Sequence, residues 1–234
     1  MPQMMDQAVT QAAPDFAPDF SDARKKMVDG QIRPNRVTDP NILAAMGSLP
    51  RERFVPASLA ARAYADEPVP LGNGRVMAEP RAIAKLVQLA APEAGSRALV
   101  VGAGTGYGAA LLAACGARVT ALESDPSLLA IARSALAGVK PEIAIVEGPL
   151  TAGWPAGAPY DIILIEGAVG DIPAAVASQL KPGAGRLISV RAGRGLASQA
   201  TLAEMTSGGL NTRAMFDCAM PVLPAFLPEP GFVF

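Results

Sequence analysis

Arg97–Asp125 reads RALVVGAGTGYGAALLAACGARVTALESD, and the order of residue types along it decides the fold. Arg97 to Val101 is a short apolar run that predicts a strand, and Gly102-Ala103-Gly104-Thr105-Gly106 predicts the turn that follows. Glycine belongs there because a strand-to-helix turn needs unusual backbone angles and because a ligand must touch the main chain. The alanine- and leucine-rich segment from Tyr107 predicts a helix, and Arg118 to Leu122 predicts a second strand that ends on Glu123.

Glu123 lies 21 residues after Gly102, where a carboxylate at the tip of the second strand can accept hydrogen bonds from both hydroxyls of a ribose. A dinucleotide site would want G-x-G-x-x-G with its pyrophosphate on the helix amino terminus. Here the third glycine comes one residue early, at Gly106, and position 107 is tyrosine. That form suits a nucleoside without phosphates, S-adenosylmethionine above all. Gly102, Ala103, Gly104, Thr105, Gly106, Tyr107 and Glu123 are therefore candidate cofactor-binding residues.

A chain of 234 residues fits one ample domain with an extension. Hydrophobic residues make up 50% but aromatics only 5%, which predicts a finely packed, helix-rich core. A net charge of -1 argues against a nucleic-acid partner held through phosphates. No run of 18 apolar residues occurs, and MPQMMDQAVT lacks both a basic region and a hydrophobic core, so the expectation is a soluble, cytoplasmic protein with no membrane partner. Cys115 and Cys218 cannot make a zinc site alone, and no metal site is expected. Having no histidine, the chain cannot carry a Ser-His-Asp triad or a Cys-His dyad. Its chemistry must proceed without an imidazole base, as direct displacement onto an ionised acceptor would.

Residues 1–20, with two PDF repeats, predict a flexible tail. SDARKKMVDGQIR from Ser21 predicts a helix ended by Gly30 or Pro34, and Thr38 or Asp39 caps a second helix, PNILAAMGSL. After RERFVP at Arg51–Pro56, Pro68 and Pro70 hold the chain extended towards a glycine turn at Gly72 and Gly74. Glu79 to Ala91 is the next helix, buried through Ile83, Leu86, Val87 and Ala90. Beyond Glu123, Pro126–Leu136 reads as helix, Glu142–Val146 as strand, Tyr160–Ile165 as buried strand, Ile172–Leu180 as helix and Arg186–Val190 as strand. Such alternation predicts an α/β protein with a doubly wound, mostly parallel sheet. Ser198–Thr206 and Asn211–Met220 flank Ser207-Gly208-Gly209 as a carboxyl-terminal β-hairpin, and PVLPAFLPEPGFVF reads as an irregular cover. The expected layout over 21–234 is a helical cap with acceptor loop (21–78), a cofactor-binding core (79–191) and a hairpin with cover (192–234).

MVDGQIRPNRVTDPNIL, LPRERFVP, AYADEPVPLGNGRVMAEPRAIA, VVGAGTGYGAALLA, Gly153-Trp154, PYDIIL and QLKPGAGRL occur in this order. Together they make the chain, from about Met27 onward, resemble the protein-L-isoaspartate O-methyltransferase family. That resemblance implies a Rossmann-like class I methyltransferase fold, S-adenosylmethionine as methyl donor with S-adenosylhomocysteine as product, and an isoaspartyl-containing protein or peptide as acceptor. A carboxylate acceptor is ionised at pH 7 and needs alignment with the methyl group, not a general base.

Three positions depart from the family pattern. Its Q-T-I-S run reads Arg75-Val76-Met77-Ala78 here, so the serine implicated in the family's site is Ala78. Its G-D-G reads Gly148-Pro149-Leu150, which keeps Gly148, Leu150 and Ser124 as the expected surroundings of adenine but loses an acid and a backbone donor. Its small-residue run after the fourth strand carries Glu166. Arg75 is expected either to fork onto the acceptor carboxylate or the methionine carboxylate of the cofactor, or to lie solvated on its loop. Glu166 is expected near the donor or acceptor, or paired with an arginine. Three functions fit these features: an isoaspartyl carboxyl methyltransferase, a paralogue acting on another acceptor such as a small carboxylate, and a catalytically silent scaffold of the same fold. The oligomer is expected to be a monomer or a homodimer through the apolar tail at Phe232, Val233 and Phe234.

Overall fold

The computed structural model describes residues 19–193 and 198–227, so the expected tail and the apolar ending at Phe232–Phe234 lie outside the described residues. Helix α1 (Ser21–Met27) runs on through a wider turn at Val28–Ile32 and a tighter one at Arg33–Asn35, stopping at Arg36, whose φ is 64°. Gly30 does not end it. Asp39 caps α2 (Pro40–Ser48) by accepting from the backbone N–H groups of Asn41 and Ile42. A short antiparallel pair, β1 (Val69–Gly72) and β2 (Arg75–Met77), precedes α3 (Pro80–Ala90).

The stretch that decides the fold forms β3 (Arg97–Val101), α4 (Tyr107–Ala114) and β4 (Arg118–Glu123). After it come α5 (Pro126–Leu136), β5 (Ala144–Glu147), β6 (Ile162–Val169), α6 (Ala174–Ala177), β7 (Arg186–Arg191), β8 (Gln199–Thr206) and β9 (Gly209–Asp217). Seven strands lie in the order β5-β4-β3-β6-β7-β8-β9. The first five are parallel, and β8 and β9 pair antiparallel at the far edge, as a hairpin with a tight glycine turn should. The order reverses direction between β3 and β6, and in such sheets ligands sit beyond the carboxyl ends of the strands at that point.

Alternating strand residues divide the core between the two faces. Ala98 and Val100 of β3 join a cluster with Ile42, Ile83, Leu111 and Leu128 from α2 to α5. Leu99 and Val101 join Leu150, Tyr160, Val176 and Leu223 on the other face. That second face is thinly covered, because the helix expected over Ile172–Leu180 is one turn long. Pro173 caps α6 in an extended conformation, and Gln179 turns its carbonyl to the backbone N–H of Tyr160, 2.9 Å away. The last α6 bonds tighten to a 3₁₀ pattern and the helix cannot continue.

The strand expected at Tyr160–Ile165 runs on to Val169 and carries a bulge. Leu164 is level with Ile188 and Ala168 with Val190, so Ile165, Glu166 and Gly167 together oppose Ser189 alone. A bulge re-aims side chains, and this one sends Glu166 inward. Past the end of β3, Ala168 takes a new partner: its N–H donates to Pro221 O and its carbonyl accepts from Leu223 N, each at 2.9 Å. The cover segment is thus strapped over the carboxyl ends of β3 and β6.

Candidate active site

At Gly102 (φ +70°) the chain leaves β3, and the N–H groups of Gly102 and Ala103 both bond to Leu122 O of β4 at 2.9 and 3.0 Å. This locks the glycine turn to the strand tip carrying Glu123. The Glu123 carboxylate, 1% exposed, accepts from Gly104 N at 2.8 Å, Ser124 N at 2.7 Å and Asp125 N at 3.0 Å. Backbone donors therefore hold it in place whatever else it binds.

Arg75 completes the shell. Its Nη1 and Nη2 each donate to one Glu123 oxygen at 3.0 Å, and Nη2 also donates to Gly102 O at 2.9 Å. Arg75 is buried and not solvated on its loop, and its fork lies on the protein's own carboxylate. A second clasp ties the same loop to β4: Asn73, at φ 49°, donates from Nδ2 to Asp125 Oδ2 at 2.8 Å. This bond, with those from Ser127, holds the Asp125 carboxyl well below the usual range, at about 2. Above them, Leu223 packs so closely that a Cβ on Gly102 would lie 3.1 Å from it and one on Gly167 2.5 Å from it.

Glu166 sits on the other side of β3, 8% exposed, and its Oε2 has no hydrogen-bond partner. Among the described residues no arginine or lysine forms an ion pair with it. Burial pushes its carboxyl up to about 8, against the pull of Arg75 and Arg51, while Glu123 adds to the rise. Its carboxyl packs on helix α4 only because residue 108 is glycine, since a Cβ there would stand 2.4 Å from Oε2. Gly108→Ala would ordinarily gain about 1 kcal/mol of helix propensity. Here we expect the clash with the buried carboxyl to cancel that gain or exceed it by about 1 kcal/mol in chemical denaturation, because Glu166 must shift to make room. Adding Glu166→Ala should restore the gain.

Other expected site residues serve the frame. Thr105 Oγ1 donates to Phe54 O at 2.6 Å, and the Tyr107 ring meets Phe54 edge-on with centroids 5.3 Å apart, so both are pinned to the helical cap. Gly148 N donates to Glu123 O at 3.2 Å, and Leu150 is buried beside Leu122 and Leu223. Ala78 is buried, and its carbonyl accepts from Arg51 Nη2. Arg51 is the member that sequence reasoning missed. Fully buried, it lies 4.5 Å above the Tyr107 ring centroid and donates from Nε to Ala63 O at 2.6 Å. Burial lowers its proton affinity, and Tyr107 opposes that effect. Its Nη1 and the Tyr107 hydroxyl have no partner. The signal was an arginine between prolines in LPRERFVP, a place where a surface charge is the ordinary reading.

Among the described residues no group of three or more His, Cys, Asp or Glu side chains could hold a metal ion, and no helix is long and apolar enough to cross a membrane. The sheet order, the glycine turn and the acid at the tip of β4 define a class I methyltransferase fold. Residues 22–207 match the family model described as protein-L-isoaspartate(D-aspartate) O-methyltransferase. The chain is 42% identical over 166 residues to the protein-L-isoaspartate O-methyltransferase of Methylorubrum populi, covering 71% of this chain and 78% of that one. It is 36% identical over 224 residues to that of Methanopyrus kandleri, covering 91% and 95%. A Plasmodium falciparum protein assigned to the same activity, solved with S-adenosyl-L-homocysteine bound, superposes with a TM-score of 0.71 at 17% identity over 89% of this chain and all of that one. The chain belongs to the protein-L-isoaspartate O-methyltransferase family.

Proposed function

We propose that this protein transfers the methyl group of S-adenosylmethionine to the side-chain carboxylate of isoaspartyl residues in damaged proteins, in the cytoplasm. The observation that carries the reading is the family match from residue 22 to residue 207, which takes in Arg75, the glycine turn, Glu123 and Glu166. The residues present also suit the cofactor. Glu123 turns two oxygens towards a fork of two N–H donors 3.0 Å away, the pattern that two neighbouring ribose hydroxyls would present. Arg75 thus stands where a ribose would be held.

Bound S-adenosylmethionine supplies a methyl group made electrophilic by its sulfonium. Glu123 would accept the ribose hydroxyls, the turn from Gly102 to Gly106 would offer its backbone, and Ser124, Gly148 and Leu150 would flank adenine. The cap-side loop, with Arg75 and Ala78, would form the acceptor wall. An acceptor carboxylate, already ionised, would need only to be held in line with that methyl group, and the site would supply position and not a base. No proton moves, so the absence of histidine costs nothing.

Purified protein with labelled S-adenosylmethionine and an isoaspartyl peptide should form a base-labile methyl ester, with the matching aspartyl peptide as control. Ester on small carboxylates but on no isoaspartyl peptide would instead favour a paralogue with another acceptor, a reading that Val76 and Ala78 support. Ala78→Ser restores the hydroxyl found in the family at that position. A hydrogen bond formed in the transition state is worth about 1–3 kcal/mol, so kcat/KM for the peptide should rise roughly 10- to 100-fold. The scaffold reading is favoured by one observation, that Arg75 and Leu223 fill the donor site. Calorimetry with S-adenosylhomocysteine decides it, since a silent scaffold would bind none at millimolar ligand.

A further inference from the structure

We propose that Arg75 is an exchangeable cation that sits on Glu123 and crosses to Glu166 when a ribose diol takes Glu123. This rests on the cofactor reading above, and three observations carry it. The first is competition: the Arg75 fork uses both Glu123 oxygens, so the arginine and a ribose cannot be held there together. A buried guanidinium expelled from its carboxylate needs another counter-ion.

The second is placement. Glu123 ends β4 and Glu166 lies on the β6 bulge, and β4 and β6 flank β3 in the sheet. Arg75 already bonds to Gly102 O at the end of β3, the strand that lies between the two carrying the carboxylates. A cavity of about 10 Å³ joins Arg75 to Glu166, walled by Gly167, Met220, Pro221 and Leu223. Leu223 lies over Gly167 and narrows the way, so the crossing takes rotation about the long arginine side chain together with a shift of Leu223 on its strap.

The third is Glu166 itself, a buried carboxyl that lines this cavity and whose Oε2, packed against Gly108 of α4, has no hydrogen-bond partner. The charged and titratable groups around it are Arg75 from β2, Arg51 from the cap, Glu123 from β4, and Tyr107 next to Gly108 on α4; the strap contributes Met220 and Leu223, which are apolar. With Arg75 on Glu123, the Glu166 carboxyl keeps its proton at neutral pH. Arrival of Arg75 ionises it, so cofactor binding releases a proton. Binding should therefore strengthen as pH rises towards about 8 and level off above it.

The test is calorimetry with S-adenosylhomocysteine at pH 7 in phosphate and in Tris, whose different ionisation heats count the protons released. Wild-type protein should release close to one. Arg75→Met should bind more tightly and release none. Glu166→Gln should bind about tenfold or more weakly and release none, because Arg75 then has nowhere to go. In Arg75→Met/Glu166→Gln the Glu166 change should cost nothing further. A Glu166 that only supports the fold would leave the proton count unmoved and give additive effects, and either result overturns the exchange. Absence of binding in every variant, Arg75→Met included, overturns the cofactor reading itself and the exchange with it.

Discussion

Glu123→Ala should lower the thermal midpoint by roughly 6–20 °C and abolish S-adenosylhomocysteine binding. The substitution takes from the buried Arg75 guanidinium the carboxylate it is forked onto, leaving it only Glu166, a carboxyl that must give up its proton to serve, and strips the acceptor from the N–H groups of Gly104, Ser124 and Asp125. Breaking a buried pair by removing one partner costs about 3–5 kcal/mol, chiefly through the charge left behind. For a domain of this size each kcal/mol is worth about 2–4 °C. Removing both charges should be far milder, since the desolvation of each is then no longer borne. Arg75→Met/Glu123→Gln should recover most of the lost stability in differential scanning calorimetry and still bind no cofactor. If the double variant is as unstable as Glu123→Ala, the loss comes from the backbone donors and not from the stranded arginine.

Glu166→Gln should flatten the pH dependence of stability. The carboxyl titrates near 4.5 when unfolded and at about 8 when folded. Between those values the native protein holds a proton that the unfolded chain has released, so stability falls as pH rises. This contribution is fully present below 4.5 and lost as pH passes through about 8, and its size is roughly 3–5 kcal/mol. Glutamine has no proton to lose. Urea unfolding from pH 5 to pH 9 should show the two proteins alike at the acid end and the variant more stable by a few kcal/mol above pH 8. Parallel profiles would show that Glu166 is solvated and ordinary.

Much of this was legible in the sequence because it follows from local rules. The apolar runs, the glycine turn and the spacing to Glu123 are short-range patterns, and β3, α4 and β4 lie where they point. The departures at Arg75, Ala78 and Glu166 were visible as residue types out of place. What each does was not. Arg75 reaches Glu123 across 48 positions of sequence, and whether a long charged side chain meets solvent, substrate or the protein itself depends on packing that no spacing encodes. Arg51 was missed for the same reason, since its partners are backbone carbonyls at Ala63 and Ala78 and the face of a distant tyrosine. The length of α6 was misread because its end is set by a bond from Tyr160, a residue just ahead of β6 and distant in sequence.

The bulge in β6 also joins two things that could otherwise vary separately. Ile165, Glu166 and Gly167 share one place opposite Ser189, and the next residue, Ala168, is where the strap is bonded. Deleting Ile165 would turn the Glu166 carboxyl to the opposite face and move the seat of Leu223 by the same step. The address of a charge and the fit of a cover are therefore inherited as one unit.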